Sequence, residues 1–506
     1  MNSIFRSMKQ AAILLTIFHL VSVVVIAQTP SPPLVINKYS KLTSYPELSS
    51  YVELLGRKSG LMKTEIIGHS VQGRNLYAMK FSLSGFGKDT TKIKVLIFAQ
   101  QHGNEQSGKE GALLLALELL RPVNRYLFNK IDLALIPQVN PDGSEVNQRR
   151  NANGMDLNRN HLILTEPETI ALHQLFDRYL FEVTMDVHEY SPFGEEWKKY
   201  GYRKNTDLNI GTTTNLNVAE SIRKLSDDDY LPFIFSYLHA RNFSSFTYSP
   251  GGPPEIDYIR HSTFDINDGR QSFGIQGTFS FIQEGMNGKD DSIDNLQHRA
   301  EGQMAGMRGL LEYTYSNKGK IRTLISGERK KLLSADPGQK ISVQSQHIAN
   351  GQFLTIPLYS YYSHNDTLVT VKDYRPVVKS IYDVRKPSGY LIPKDNKDLV
   401  EWAERLSLEQ IPLKKYPGEH FVQYRITSVD SADFEGDRVA DPQLASDILK
   451  ELPPDHGFIF IPTAQLKGIL VVLALEPKSM LGLETYHRYA GLLKKGSPFP
   501  VLRVEK

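Results

Sequence analysis

The sequence predicts an α/β protein, with a mixed, largely parallel sheet flanked by helices and a β-rich domain after it. Three observations predict this. From Tyr45 to Tyr315, apolar or β-branched runs recur and end in polar residues, as in Lys94-Val95-Leu96-Ile97-Phe98-Ala99 and Val183-Thr184-Met185-Asp186-Val187, which is how strands that end at a site read. Helical stretches, among them Glu166 to Phe176 and Leu296 to Glu312, alternate with these runs, so the strands are joined by helices packed on the sheet. After about Gly327 the texture shifts to short β-rich runs separated by turn residues.

The elements follow in order. Residues 1–27 read as a secretory signal: Arg6 and Lys9 make the positive start, Ala11 to Ile26 the apolar run, and Val25-Ile26-Ala27 the cleavage site before Gln28. A membrane anchor is the weaker reading, because the run is short and holds His19 and Ser22. Residues 28–44 read as a linker, with Thr29-Pro30-Ser31-Pro32-Pro33 too rich in proline for a helix. A first folded domain is expected over 45–320, with a helix announced by Gly111 to Leu120. In 328–506 strands are expected at Lys340 to Gln346, Phe353 to Tyr362, Leu368 to Tyr374, Phe421 to Thr427, Phe458 to Pro462 and Gly468 to Leu475. One helix is expected there, Asp395 to Leu408, capped by Asp395 or Asn396.

Composition narrows the class. A chain of 506 residues exceeds the size at which one core keeps growing, and 40% hydrophobic with 23% charged residues is globular composition. The formal net charge is +3, and loss of the leader, which carries Arg6 and Lys9 and no acid, brings it nearer neutral. Nucleic acid is therefore not an expected partner. There is no cysteine, so an exported form relies on core packing and metal, as suits a periplasmic or secreted bacterial protein.

The chemistry begins at Gln101-His102-Gly103-Asn104-Glu105, directly after the run ending at Ala99. His102 and Glu105 stand three apart on the turn entering a helix, a spacing that suits two ligands of one metal ion. Downstream come Asn140-Pro141-Asp142-Gly143, the stretch Arg149 to Asn160, Met185-Asp186-Val187-His188-Glu189, and Phe279-Ser280-Phe281-Ile282-Gln283-Glu284. In this order the blocks resemble the zinc carboxypeptidase family of the carboxypeptidase A/B type, over roughly Tyr45 to Tyr315.

The resemblance implies one Zn²⁺ per chain, held by His102, Glu105 and His188 with a position left open for catalysis. It implies that Glu284 takes the proton of the attacking water and hands it to the leaving amine, and that Arg149, with Arg150 as the alternative, stabilises the oxyanion. Asn158 and Arg159 match the residues that hold the substrate's terminal carboxylate, so chain ends rather than internal bonds are the expected target. Arg74, in Gly68-His69-Ser70-Val71-Gln72-Gly73-Arg74, matches a residue holding substrate upstream of the cut. The tyrosine that closes over substrate matches Tyr258 by spacing, with Tyr248 the alternative. The specificity pocket falls between Thr263 and Phe273, where Asp265, Asp268 and Arg270 either read a charged side chain or pair with one another. Glu189 is left out of the site, since neighbouring strand residues face opposite ways.

The expected function is a secreted or periplasmic zinc carboxypeptidase acting on peptide or protein C-termini, with no nucleic-acid partner and no stable membrane insertion after signal cleavage. The short stretch before Tyr45 leaves no room for a folded inhibitory pro-domain, so activity on synthesis is expected. Two other readings stay open: a related zinc amidohydrolase acting on acyl-amino acids or cell-wall peptides, and a binding module on a decayed enzyme fold, which the complete ligand set disfavours.

Overall fold

The structure, a computed structural model, describes residues 30–289, 293–336, 338–411, 419–434, 437–449, 452 and 457–505. The expected leader at 1–27 lies outside the described residues. The first half of the chain contributes β1 (Met62–His69), β2 (Asn75–Phe81), β3 (Ile93–Ala99), β4 (Ile131–Ile136), β5 (Val183–Tyr190), β6 (Tyr202–Lys204), β7 (Leu208–Gly211), β8 (Ser245–Thr247), β9 (Ile259–Arg260) and β10 (Phe279–Met286). An eight-stranded sheet runs β1-β2-β4-β3-β5-β10-β7-β8. Its centre, β4-β3-β5-β10, is parallel, and antiparallel pairs lie outside it. This is the mixed, largely parallel sheet that the sequence predicts. The central strands are almost wholly buried, including polar residues such as Asp186 and Gln283, because helices Gln106–Leu119, Pro167–Tyr179 and Leu296–Ser316 cover the sheet.

The β-rich region holds β11 (Lys340–Ile348), β12 (Leu354–Ser360), β13 (Asn365–Val371), β14 (Tyr374–Arg375), β15 (Val377–Arg385), β16 (Gly389–Pro393), β17 (His420–Phe434), β18 (Asp437–Leu449), β19 (Phe458–Pro462) and β20 (Pro498–Glu505). It is stitched to the first half. β12 pairs with β6, and β14 with β9. The Trp402 indole N–H donates to Leu162 O at 3.0 Å, and Lys467 reaches Asp177 at 2.6 Å. One apolar cluster runs from Leu48 through Trp402 to Val501, and helix Lys318–Leu332 passes straight through Gly327.

Local expectations meet the structure unevenly. Asn396 caps helix Lys397–Arg405 by accepting from Leu399 N–H, and β19 spans the expected Phe458 to Pro462. Gly468 to Leu475, expected as a strand, is a helix buried along its whole length. A uniformly apolar run of eight carries no period to separate the two. Its first residue is fixed by packing, since a Cβ at Gly468 would stand 1.8 Å from Thr463 O. The stretch expected as a linker is also packed in its described part. Pro33–Ile36 forms one helical turn with proline at its first position, where no N–H is needed, and Leu34 is fully buried. Thr43 is clipped to Glu110 through its N–H and its hydroxyl, both at 2.7 Å.

Candidate metal centre and active site

β3 ends at Ala99 level with Val187 on β5. Gln100 then takes a positive φ of 59° and turns the chain out of the sheet. Gly103 passes so close to the Asn140–Gly143 turn that a Cβ there would lie 2.2 Å from the Gly143 carbonyl carbon, which accounts for glycine in that motif. Asn140 secures the turn, donating to Gln101 O and accepting from Gly143 N–H. Glu105 sits at the start of helix Gln106–Leu119, and His188 arrives from the carboxyl end of β5. Glu284 is its register partner on parallel β10, so the two side chains emerge side by side.

These turns bring three donors together. Glu105 Oε1 lies 2.7 Å from His102 Nδ1, Glu105 Oε2 lies 2.8 Å from His188 Nδ1, and the two imidazole nitrogens are 3.1 Å apart. The three ligand atoms lie within 4.8 Å of one another, and all three residues are buried. Two ring nitrogens and a carboxylate converging on one point fit a zinc ion. The outer ring nitrogens are oriented by acids, His102 Nε2 by Asp156 at 3.0 Å and His188 Nε2 by Asp186 at 2.9 Å. Burial opposes a charge on His102, but Glu105 and Asp156 outweigh it and raise the imidazole. His188 is likewise raised well above its ordinary value, against its own burial, by Asp186 and Glu105. Burial pushes Glu284 up to about 7.

Asp156, quoted in the motif without a role, ties this centre to the arginines. Its Oδ1 meets His102 and accepts from Asn158 N–H at 2.9 Å, while Oδ2 accepts from Arg149 Nε at 3.0 Å. Arg149 also stands 3.5 Å from Glu105 Oε1 and leaves 45% of its side chain exposed. Arg150 points elsewhere and donates to Gly154 O. The Arg159 side chain is 48% exposed, with Asp265 3.7 Å away. Asn158 is buried: its oxygen accepts from Gly269 N–H and the Gln101 amide, and Nδ2 is 3.3 Å from His188 Nε2. Arg74 is held by Asp142 and Gln72, both at 2.6 Å.

The tyrosines part company. The Tyr258 ring rests on Arg375, 3.9 Å from guanidinium to ring centre. The phenol of Tyr248 is raised by burial and by the charge of Glu284, with Arg270 and Arg159 opposing, so it shares a field with the site. Arg270 and Asp268 pair at 2.8 Å in a buried, not solvated, setting, and Arg270 also donates to Ser262 and Thr263. Glu189 faces away, binding Ser107 and Arg299, while its backbone N–H donates to Glu105 Oε2 at 3.0 Å. Lys204, which carries no motif, donates to Ser249 O and is lowered to about 8 by burial, against the attraction of Glu284.

Residues 48–228 match the zinc carboxypeptidase family model. The chain carries a zinc carboxypeptidase domain. It is thereby a zinc metallocarboxypeptidase, a peptide hydrolase, as its similarity to curated carboxypeptidases also indicates. Carboxypeptidase 2 of Trichophyton rubrum is 23% identical over 498 residues, covering 94% of this chain and 90% of that one, so the match takes in the β-rich region. The human carboxypeptidase N catalytic chain is 24% identical over 340 residues, 55% of this chain and 72% of that one. A solved metallo-carboxypeptidase from Pseudomonas aeruginosa, in complex with (2-guanidinoethylmercapto)succinic acid, aligns with a TM-score of 0.41 at 21% identity, covering 55% of this chain and 69% of that chain. No helix among the described residues is long and apolar enough to cross a membrane.

Proposed function

We propose that the protein is an exported carboxypeptidase that removes residues one at a time from peptide C-termini, with His102, Glu105 and His188 holding a single zinc ion. The observation that carries this reading is the half-exposed Arg159 guanidinium placed one residue from Asn158, whose amide lies against His188. A planar guanidinium pairs with a carboxylate through two parallel hydrogen bonds, so a chain end bound there lays its last peptide bond beside the metal ligands. Zinc, when bound, supplies Lewis acidity toward the carbonyl and the attacking water.

The chain's own groups do the rest. Glu284, register partner of His188 and raised to about 7, is poised to accept the water proton and to deliver it to the departing amide nitrogen. Arg149, steadied by Asp156, faces the oxygen that becomes negative. Arg74 holds substrate upstream of the cut. Tyr248 is the better-placed tyrosine to close over it, because it lies in the field of Glu284 and Arg159 while Tyr258 is engaged by Arg375. The apolar run at 11–26 supports export.

The test is a long peptide with a free or an amidated C-terminus. The free form should give a ladder of single-residue losses by mass spectrometry, and amidation should stop it. Arg159→Ala should be severely impaired on the free form, and amidation should add little to that loss. Equal cleavage of both forms, or internal fragments without a ladder, would favour the amidohydrolase reading.

A further inference from the structure

The β-rich region sets the Tyr486 side chain against the substrate site. Tyr486 lies in the segment Leu483 to Leu492, which is anchored by buried Leu483, Tyr489 and Leu492, while Tyr486 itself is partly buried. The segment is seated against the site by contacts from both halves of the chain. The Asn267 amide donates to the Tyr486 hydroxyl at 2.9 Å, and Trp402 of the same region donates to Leu162 O, three residues past Arg159. Asn267 is in turn fixed by His161, whose N–H donates to its carbonyl at 3.2 Å. It sits two residues from Asp265, the carboxylate that faces Arg159 at 3.7 Å.

The chemistry at this corner is unbalanced. Asp265 is buried, and its Oδ1 has no hydrogen-bond partner among the described residues. A terminal carboxylate arriving at Arg159 must share the guanidinium with that acid, and like charges at one cation repel. An uncharged donor there would offset the repulsion without adding to it. The Tyr486 hydroxyl already accepts from Asn267, and no acceptor among the described residues takes its own proton. Burial raises this phenol, with the charges of Arg159 and Asp265 acting on it from opposite directions, so it stays a protonated donor at neutral pH.

We propose that Tyr486 is a substrate-contacting residue, donating its phenolic hydrogen bond to the terminal carboxylate held by Arg159, so that the β-rich region completes the site. The proposal rests on the carboxypeptidase reading of Arg159. It gives the C-terminal half of the chain a direct part in substrate binding, beyond the residues that match the family model.

The test compares wild type, Tyr486→Phe, Arg159→Ala and the double variant on a blocked dipeptide with a free C-terminus, all as full-length zinc-loaded protein. Exposed His487→Ala serves as a control that should behave as wild type. Phenylalanine keeps the ring and its packing, so zinc content should not move, and loss of the Asn267 hydrogen bond should lower the thermal midpoint by at most a few degrees. Catalytic efficiency of Tyr486→Phe should fall about ten- to hundredfold, the worth of one hydrogen bond to a charged group, and mainly through KM. Within the Arg159→Ala background the same change should cost less than about threefold, because the carboxylate is no longer held. If Tyr486→Phe stays within about twofold of wild type while Arg159→Ala is crippled, the proposal fails and the Arg159 reading stands. Equal losses in both backgrounds mark a structural role and also overturn it. If Arg159→Ala costs nothing, both readings fall together.

Discussion

Asp156 offers the sharpest perturbation of the centre, because its two oxygens carry separable duties. Oδ1 orients His102 and caps the Leu157–Arg159 turn by accepting from Asn158 N–H, whereas Oδ2 binds Arg149 through Nε and a second nitrogen at 2.9 Å. Asp156→Asn can keep its oxygen toward His102 and Asn158, so its amide NH₂ must then face the guanidinium. Two donors face each other, and Arg149 is released. Loss of the partner that orients a metal-bound histidine costs about 10- to 100-fold in metal affinity, or about 1.4–2.8 kcal/mol at 1.4 kcal/mol per tenfold. The retained hydrogen bond should hold this variant near tenfold. Misplacing an oxyanion donor costs about 10²- to 10³-fold in kcat, and this should be the larger loss. Asp156→Ala removes both duties and should reach the top of the metal range. Zinc affinity by competition with a chromophoric chelator, beside steady-state kinetics at saturating zinc, separates the two effects. Affinity and kcat both within about threefold of wild type for Asp156→Asn would refute the coupling of metal site to arginine through this residue.

Four further outcomes are expected. His188→Ala should leave zinc strongly substoichiometric by elemental analysis after dialysis, since one of three converging donors is gone; full retention would remove His188 from the ligand set. Glu284→Gln should keep zinc and substrate affinity while turnover falls by about 10²- to 10⁴-fold. Because the buried carboxylic acid of the metal-free protein is raised from 4.5 to about 7, it keeps its proton where the unfolded chain has lost it, so its stabilising contribution declines as pH rises across that window. Metal-free Glu284→Gln should therefore melt above metal-free wild type by a margin that grows from pH 4.5 to 7, and a margin flat in pH would contradict the burial argument. Arg270→Ala should destabilise folding by about 3–5 kcal/mol in denaturant titration, because it leaves Asp268 buried without its cation; a loss below about 1 kcal/mol would place Arg270 in contact with solvent instead.

The sequence by itself determined what is local. Apolar runs ending shortly before His102 and His188 marked β3 and β5, and the spacing of His102 and Glu105 marked a shared turn, because strand burial and ligand spacing are written in consecutive residues. Asn396 was one of two caps the sequence allowed for its helix, and the bond to Leu399 N–H selects it. Tertiary structure alone decided what depends on residues far apart in the chain. Gly468–Leu475 is a helix buried along its whole length, so its apolar run carries no period to tell helix from strand. Arg270 was taken by Asp268, Ser262 and Thr263, and Tyr258 by Arg375, so neither is free in the way that spacing allowed. Tyr486 came within reach of the Arg159 corner only because Trp402, Lys467 and Asn267 fasten the β-rich region to the first half of the chain. Such contacts join residues hundreds of positions apart, and no local pattern records them, since the free energy that selects them arises only when the two surfaces are packed together.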